Sequence, residues 1–409
     1  MKFLITGGSS IVSNIGDQAM IFTLVEYLKK RYPDSDIVLL DEAAYVEEAE
    51  KYTFRIIPDI PMNAKLKIVS KLLFVIYKLL GKKNRFDKQT EEKILNEYKT
   101  CDYIFQVAGF GISSQMAFSN SISRIWDIVL AKKLKKQITM MPQSIGPLNY
   151  KGIKKLILGY YLRKYINYPD FVLCREKMGK ELLEKYGCIK AEIEHDLVLA
   201  RPGDIDSGLI YSQSPERPPQ YVIDKEKDII IIPNFRLLKY RPMPEIREIF
   251  LNIINACINI TDGKVCIFNH VNNDDRALCN SIYEAFDDNP AVYMIDGGFD
   301  CMETEKLLKK FALGIVCRWH SNVHAIRAGL PYVVIGWAEK YHETARYFEN
   351  SDLIFDIRSP IIEKDIIAAV ERVYNNRNKI SGEIEKTANE IKKTFCLDSI
   401  IKDIMEEIC

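Results

Sequence analysis

Short apolar runs alternate with helical patterns along most of the chain, and this alternation constrains the fold more than any other feature. Several runs are apolar throughout, as expected for strands covered on both faces of a sheet. The pattern predicts an α/β fold with parallel sheets. The predicted strands span residues 3–6, 36–40, 103–107, 138–142 and 171–174 in the first half, and 228–233, 264–268, 292–295, 313–317 and 332–335 in the second.

A break in the alternation divides the chain into two similar halves. Residues 201–219 are rich in Pro, Gly, Ser and Asp, which is typical of a linker. At 409 residues the chain also exceeds the size of one ordinary core. We therefore predict two Rossmann-like domains facing a cleft, at 1–200 and 226–409, joined by a linker at 201–225. The last helices are expected to pack back on the N-terminal domain.

The charge balance argues against nucleic acid as the main partner, because 57 basic and 56 acidic residues leave a formal net charge of +1. The ten cysteines form no CxxC pair, which favours buried free thiols in a reducing compartment. The apolar run at the N-terminus is too short for a signal peptide. No stretch reaches the roughly 18 apolar residues that suggest a membrane span. The sequence thus predicts a cytoplasmic protein.

One strongly apolar segment departs from the alternation. Residues 66–80 read LKIVSKLLFVIYKLL and are flanked by lysines and an arginine. The segment has two interpretations, a core element packed inside the protein or an amphipathic helix over 65–85 that contacts the inner face of a membrane.

Glycines and polar residues follow the first strand. Asn14, Gly16 and Asp17 stand where the backbone N–H groups of a helix N-terminus could bind an anion. The spacing of Asn14 and Asp17 also fits a capping pair that only begins the helix.

Two later strand ends carry similar loops. Gly109 and Gly111 follow strand 103–107, where small residues permit close approach of a ligand or of the opposing domain. Gln143 follows strand 138–142 and could hydrogen-bond a sugar hydroxyl, although a plain turn would look much the same. Arg175 ends strand 171–174 and suits a carboxylate or phosphate, or an ion pair with Glu176 or a neighbouring acid.

The block from Leu313 to Pro331 is the most informative part of the sequence. Arg318 and His320 lie between a strand and a short helix, which makes an anion site with a titratable group beside it. Ser321 or Asn322 can cap that helix. His320 and His324 are four residues apart, but no third ligand lies at short spacing, so no metal site is predicted.

These motifs together resemble the polysaccharide pyruvyl transferase family. The family's order is kept by Asn14-Ile-Gly-Asp17, Pro142-Gln-Ser-Ile-Gly-Pro147, Arg175-Glu176 and above all Arg318-x-His320-Ser-Asn-Val-His-Ala-Ile-Arg-Ala-Gly-Leu-Pro331. The resemblance implies a GT-B-like pair of domains with phosphoenolpyruvate bound between them, on the C-terminal side, and no cofactor. It also implies a sugar acceptor in a bacterial or archaeal surface polymer or its precursor, lipid-linked if residues 65–85 meet a membrane.

The resemblance also implies roles for single residues. Arg318 and His320 match the family's donor-site pair, and Arg175 matches the arginine that approaches from the N-terminal domain. We hypothesise from the chemistry that Arg318 and Arg175 hold the phosphate and the carboxylate of the donor, while His320 acts as general acid and base. Departures from the family occur at Ala108-Gly-Phe-Gly111, where a run of glycines is common, and at Trp319. Substrate-binding residues are expected at Asn14, Gly16, Asp17, Gly109, Gly111, Gln143, Ser321, Asn322 and Lys340.

Two other functions fit the same architecture. A GT-B-like glycosyltransferase or sugar-nucleotide enzyme would need a carboxylate for the ribose, and Asp296 or Glu303 could serve. A non-catalytic relative would bind an anion without turnover, against which the intact pair Arg318 and His320 argues.

Overall fold

The structure is a computed structural model of the chain. It describes residues 1–8, 10–12, 14–41, 46–59, 65, 69, 88–216, 218–338, 340–341, 351–360, 363–395 and 397–408. Of the segment 65–85, only Lys65 and Val69 are described, so the expected membrane contact of that segment lies outside the described residues. Lys65 is buried and its ammonium lies 2.6 Å from the carboxylate of Asp127.

The first half of the chain forms a seven-stranded sheet in which every neighbouring pair is parallel. Its strand order is β3-β2-β1-β4-β5-β6-β7. The central strands are buried along nearly their whole length, which explains their apolar composition. The strands are β1 (Lys2–Thr6), β2 (Asp36–Asp41), β3 (Arg55–Pro58), β4 (Tyr103–Gln106), β5 (Gln137–Gln143), β6 (Val172–Cys174) and β7 (Ala191–Ile193).

The second half repeats this plan with six parallel strands in the order β10-β9-β8-β11-β12-β13. The central strand β8 consists of four isoleucines, all fully buried, as a strand covered on both faces requires. The strands are β8 (Ile229–Ile232), β9 (Val265–Phe268), β10 (Val292–Ile295), β11 (Leu313–Val316), β12 (Tyr332–Gly336) and β13 (Ile354–Asp356).

Helices follow most strands, as a parallel sheet demands of its crossover connections. In the first half they are α1 (Ile15–Arg31), α2 (Lys88–Thr100), α3 (Phe118–Leu134), α4 (Gly152–Tyr165), α5 (Lys177–Glu184), α6 (Leu197–Ala200) and α7 (Ser207–Ile210). In the second half they are α8 (Met243–Thr261), α9 (Asn272–Tyr283), α10 (Cys301–Leu308), α11 (Trp319–Arg327), α12 (Glu363–Asn375), α13 (Arg377–Lys392) and α14 (Leu397–Ile408).

The order of each sheet reverses beside its first strand, so β1 lies between β2 and β4, and β8 lies between β9 and β11. Such sheets bind ligands beyond the carboxyl ends of the strands at this reversal. Asn14 and Gly109 follow β1 and β4, whereas Asn234 and Arg318 follow β8 and β11, and all four line one cavity. The two reversal points therefore open on the same cleft.

Polar contacts join the two halves behind this cleft. The side-chain oxygen of Gln18 accepts the backbone N–H of Cys301 at 2.7 Å. Glu305 pairs with Arg201 at 2.8 Å and with Arg327 at 3.1 Å, and all three side chains are almost fully buried. A buried charged network of this kind fixes the relative position of the elements that carry it.

The end of the chain contacts its beginning. Tyr27 of α1 donates a hydrogen bond of 2.6 Å to Asp398 of α14, and its ring lies 5.9 Å from that of Phe395.

The residue limits of the two domains stay a prediction. Among the helices that the structure describes, none is long and apolar enough to cross a membrane.

Candidate active site

The cleft between the two sheets holds a cavity of about 160 Å³. Both halves of the chain contribute to its lining. Four of its lining residues are basic, namely Arg124, Arg236, Arg318 and Lys340. Among the described lining residues, Asp17 alone carries a carboxylate. An excess of cations in a partly closed space favours an anionic ligand.

The side chain of Arg318 is held rigidly at the N-terminus of α11. Its guanidinium forms a two-pronged ion pair with the buried carboxylate of Asp275, with an Nη2 to Oδ1 distance of 2.6 Å. Its backbone N–H donates to the hydroxyl of Ser321 at 3.1 Å. Because Asp275 occupies one edge of the guanidinium, the remaining N–H groups are left for a ligand in the cavity.

His320 lies deep in the cleft at the start of α11, in contact with the opposite half of the chain. A Cβ atom on Gly16 would overlap the imidazole, and one on Gly109 would lie 3.5 Å from its Cε1. Its Nε2 is shielded from solvent and has no hydrogen-bond partner among the described residues. Desolvation, followed by the field of Arg175 and Lys340, holds the pKa of His320 well below its usual value. The ligand-free imidazole is therefore neutral at pH 7.

Lys340 enters the cleft from the segment that follows β12. Its ammonium lies 3.8 Å from the centre of the Phe110 ring and 5.1 Å from that of Trp319, as in a cation–π contact. Burial, followed by repulsion from Arg175, lowers the pKa of Lys340 to about 7. A lysine in this state can both bind an anion and exchange a proton near neutral pH.

Arg175 reaches the cleft region but does not line the cavity. Its guanidinium pairs with Asp196 at 2.7 Å, and both side chains are only 2% exposed. It also donates to the carbonyl of Gly109 at 3.3 Å. The ion-pair partner of Arg175 is thus Asp196, which follows the next strand, and not the adjacent Glu176. Through its hydrogen bond to Gly109, Arg175 supports the Gly109 loop from behind.

Beside Arg175, the carboxyl group of Glu176 accepts a hydrogen bond of 2.6 Å from Ser144. Burial raises the pKa of Glu176. Gln143 lies next to it, fully buried, and neither atom of its amide has a partner among the described residues. A Cβ atom on Gly111 would overlap that amide, so Gln143 needs glycine at this position.

Asn14 begins α1, where its side-chain oxygen accepts the backbone N–H groups of Gly16 at 3.1 Å and Asp17 at 3.4 Å. Both Asn14 and Asp17 line the cavity, so the capping interpretation and the site interpretation hold together. Asn322 is buried in α11, and its side-chain oxygen has no partner among the described residues.

Sequence reasoning missed several lining residues. His270 follows β9, is buried, and neither of its ring nitrogens has a partner in the described part of the chain. Asn234 and Arg236 follow β8, and Trp337 follows β12. All four come directly after strands that the sequence predicted, so the strand-end rule could have found them.

His324 does not line the cavity and lies beside Glu305, with its Nδ1 3.2 Å from that carboxylate. Burial alone would raise the pKa of Glu305, but the contact with His324, followed by the charges of Arg201 and Arg327, holds it below its usual range. Within the described ranges, no group of three or more His, Cys, Asp or Glu side chains is placed to hold a metal ion.

Two opposed Rossmann-like sheets around a shared cleft define the GT-B class, and solved structures agree. The complex of Anabaena Alr3699/HepE with UDP and glucose superposes with a TM-score of 0.57 and 10% identity, covering 100% of this chain and 99% of that one. A putative UDP-N-acetylglucosamine 2-epimerase from Listeria monocytogenes gives a TM-score of 0.55 and 12% identity, covering 98% of this chain and 94% of that one. At such identities the likeness shows the fold.

The sequence itself is more specific. It matches the model of the polysaccharide pyruvyl transferase family over residues 14–339, which include the cleft residues from Asn14 to Trp337. The chain belongs to the polysaccharide pyruvyl transferase family and is a transferase. A search of curated proteins found no significant match to the sequence.

Proposed function

We propose that this enzyme transfers the pyruvyl group of phosphoenolpyruvate to two hydroxyls of a sugar, forming a cyclic ketal and releasing phosphate. The acceptor is a unit of a surface polysaccharide or of its precursor. The observation that carries the proposal is the meeting of Arg318, Lys340 and a neutral His320 in one cleft, within a chain of this family.

The cations match the two anionic groups of the donor. Arg318 is oriented by Asp275 and offers a rigid pair of N–H donors, which suits a phosphate or a carboxylate. Lys340 provides a second positive charge, and Arg236 a third in the lining of the same cavity. Arg175 acts indirectly in this scheme, because it pairs with Asp196 and, unlike Arg318, does not line the cavity.

The reaction begins with a proton added to the methylene carbon of the donor. This turns the methylene into a methyl group and leaves an oxocarbenium-like centre, which one sugar hydroxyl attacks as it loses its proton. The second hydroxyl then attacks the same carbon as the bond from that carbon to the phosphate oxygen breaks, and its proton passes to the departing phosphate. The scheme needs one group that gives and takes protons, and it needs no resident cofactor.

His320 is placed for that role. It is neutral in the empty cleft because desolvation and nearby cations oppose its charged form. A bound dianion reverses the sign of that field and raises the pKa of His320, which prepares it to donate a proton. Positioned proton transfer of this kind contributes roughly 10²–10⁴-fold to a rate.

A nucleotide-sugar donor fits the cleft less well. Asp296 accepts from Asn269 at 2.7 Å and pairs with Arg276 at 3.2 Å. Glu303 pairs with Lys306 at 2.7 Å. Neither carboxylate lines the described part of the cavity, so neither is placed to hold a ribose there.

The test is phosphate release from phosphoenolpyruvate by the purified enzyme, with and without nucleotide-linked and lipid-linked hexoses. We expect release that depends on one acceptor, together with the mass gain of a pyruvyl ketal on that sugar. Transfer of a sugar from a UDP-hexose, with no reaction of phosphoenolpyruvate, would replace this function with that of a glycosyltransferase.

A further inference from the structure

A basic and apolar surface lies on the N-terminal half, outside the lining of the cavity. Between residues 128 and 169 the chain has nine lysines and arginines and no aspartate or glutamate, whereas its overall net charge is +1. The charge is thus concentrated on one part of a nearly neutral molecule. This stretch contains the end of α3, strand β5 and all of α4.

Helix α4 exposes three large apolar side chains on one face. Ile153, Leu156 and Tyr160 are 67%, 69% and 53% exposed, and they lie within about 60° of one another around the helix axis. The opposite face, with Leu158 and Leu162, is buried in the protein. Large apolar side chains that protrude together from a helix mark a binding surface.

Basic side chains surround this apolar face. Lys154 and Lys155 are exposed at its first turns, and Arg163 and Lys164 are exposed at its last turns. The ammonium of Lys164 donates to the hydroxyl of Tyr160 at 3.0 Å, which places charge directly beside the apolar residues. Long basic side chains next to inserted apolar ones are the pattern of a helix lying in the plane of an anionic bilayer surface.

The surface adjoins the cleft. The loop that leads into α4 is tied to the loop after β4, since Ser114 donates its N–H to the carbonyl of Pro147 at 2.8 Å and Tyr150 donates to the carbonyl of Ser113 at 2.7 Å. Met116 of that second loop lines the cavity. The first turn of α4, with Ile153, therefore lies at the sheet edge on which the cleft opens.

We propose that α4 docks the enzyme on an anionic lipid bilayer, with Ile153, Leu156 and Tyr160 inserted below the headgroups and the flanking lysines in contact with them. Inserted apolar side chains favour a bilayer over a purely polar polyanion such as a nucleic acid. Docking through α4 brings the cleft beside the membrane surface, where a lipid-linked acceptor would present its sugar. The proposal stands on this surface and is independent of the identity of the donor.

The experiment is co-sedimentation of the full chain with phosphatidylcholine vesicles that contain or lack phosphatidylglycerol, at low and high salt. We expect binding to the anionic vesicles, weakened by salt. Two triple variants should each reduce the partition coefficient about tenfold or more. The apolar variant is Ile153→Ser/Leu156→Ser/Tyr160→Ser, and the charge variant is Lys154→Gln/Lys155→Gln/Lys164→Gln. Lys225→Gln/Lys364→Gln/Lys386→Gln removes the same charge from exposed lysines elsewhere and should bind as the wild type does.

A control for folding makes the outcome of the vesicle experiment unambiguous. Circular dichroism melts should show that all variants fold, because every substituted side chain is exposed. Failure of the wild type to bind, or wild-type binding by both α4 variants, overturns the proposal. A concentration-dependent dimer that the apolar variant abolishes, without vesicle binding, would instead assign the surface to a second copy of the chain.

Discussion

Gly16 of α1 and His320 of α11 are in direct contact across the cleft, with the imidazole resting on the glycine backbone. The two residues belong to opposite halves of the chain, so the position of the imidazole depends on how the halves meet. A side chain at residue 16 would push His320 out of place.

Gly16→Ala should therefore lower turnover about 10²-fold, the order expected when a catalytic group moves by about 1 Å. The melting temperature should fall as well, because the added methyl group would overlap the Nδ1, Cγ and Cβ atoms of His320, and the helix that carries His320 must shift to admit it. Gly382→Ala is the matched control, since no described residue lies within 4 Å of the added atom and Gly382 is in helix α13. Normal turnover by Gly16→Ala would show that the contact has no role in catalysis.

His320→Ala should lose turnover by roughly 10²–10⁴-fold while donor affinity changes much less. The reason is that the proposed role of the imidazole lies in proton transfer rather than in binding. Single-turnover kinetics combined with calorimetry separates the two effects. His195→Ala, at a histidine outside the cavity lining, should behave as the wild type does. Near-normal turnover by His320→Ala would refute the assignment.

Arg318→Ala should lower donor affinity at least about tenfold, because it removes a charged, oriented pair of donors. It should also lower stability by about 3–5 kcal/mol, since the buried carboxylate of Asp275 loses its partner. Arg276→Ala is the control, because its pair with Asp296 is largely exposed and contributes about 0–1 kcal/mol. Donor titration and denaturant unfolding measure the two quantities, and unchanged donor affinity would remove Arg318 from the site.

Arg175→Ala distinguishes a supporting role from a donor-binding one. Loss of the buried pair with Asp196 should destabilise the fold by about 3–5 kcal/mol. Arg175→Met/Asp196→Leu should recover part of that stability and retain donor affinity, because neither charge is then left unpaired. A double variant that is stable but no longer binds the donor would show that Arg175 contacts phosphoenolpyruvate itself.

Lys340 gives a pH dependence with a definite sign. Its pKa of about 7 lies below the usual 10.5, so the folded protein disfavours the charged form. The cost to stability is fully present below about pH 7 and fades as the pH rises toward 10.5. Lys340→Met should thus stabilise the protein at neutral pH and weaken donor binding. Wild-type donor affinity should fall as the pH rises through about 7, and a variant that keeps this pH dependence would contradict the assignment.

The fold could be predicted from the sequence because its central strands are apolar throughout. All ten predicted strands are present, but β3, β7 and β13 were missed. These three lie at sheet edges, are only partly buried and have three or four residues each, so no long apolar run marks them in the sequence.

Part of the candidate site could likewise be predicted from the sequence. Arg318 and His320 stand where their motif placed them, at the start of a helix beyond a strand end. The direction of the Arg175 side chain could not be predicted, because its partner Asp196 becomes a neighbour only through the pairing of β6 with β7. His270 and Arg236 have no motif of their own, and only their positions after the predicted strands β9 and β8 could have marked them as cleft residues.

The most direct measurement is calorimetric titration of the purified enzyme with phosphoenolpyruvate and, separately, with UDP-glucose. Phosphoenolpyruvate should bind and Arg318→Ala should weaken this binding, while UDP-glucose should give no heat of binding. Binding of UDP-glucose with none of phosphoenolpyruvate would refute the proposed function and assign the cleft to a nucleotide sugar.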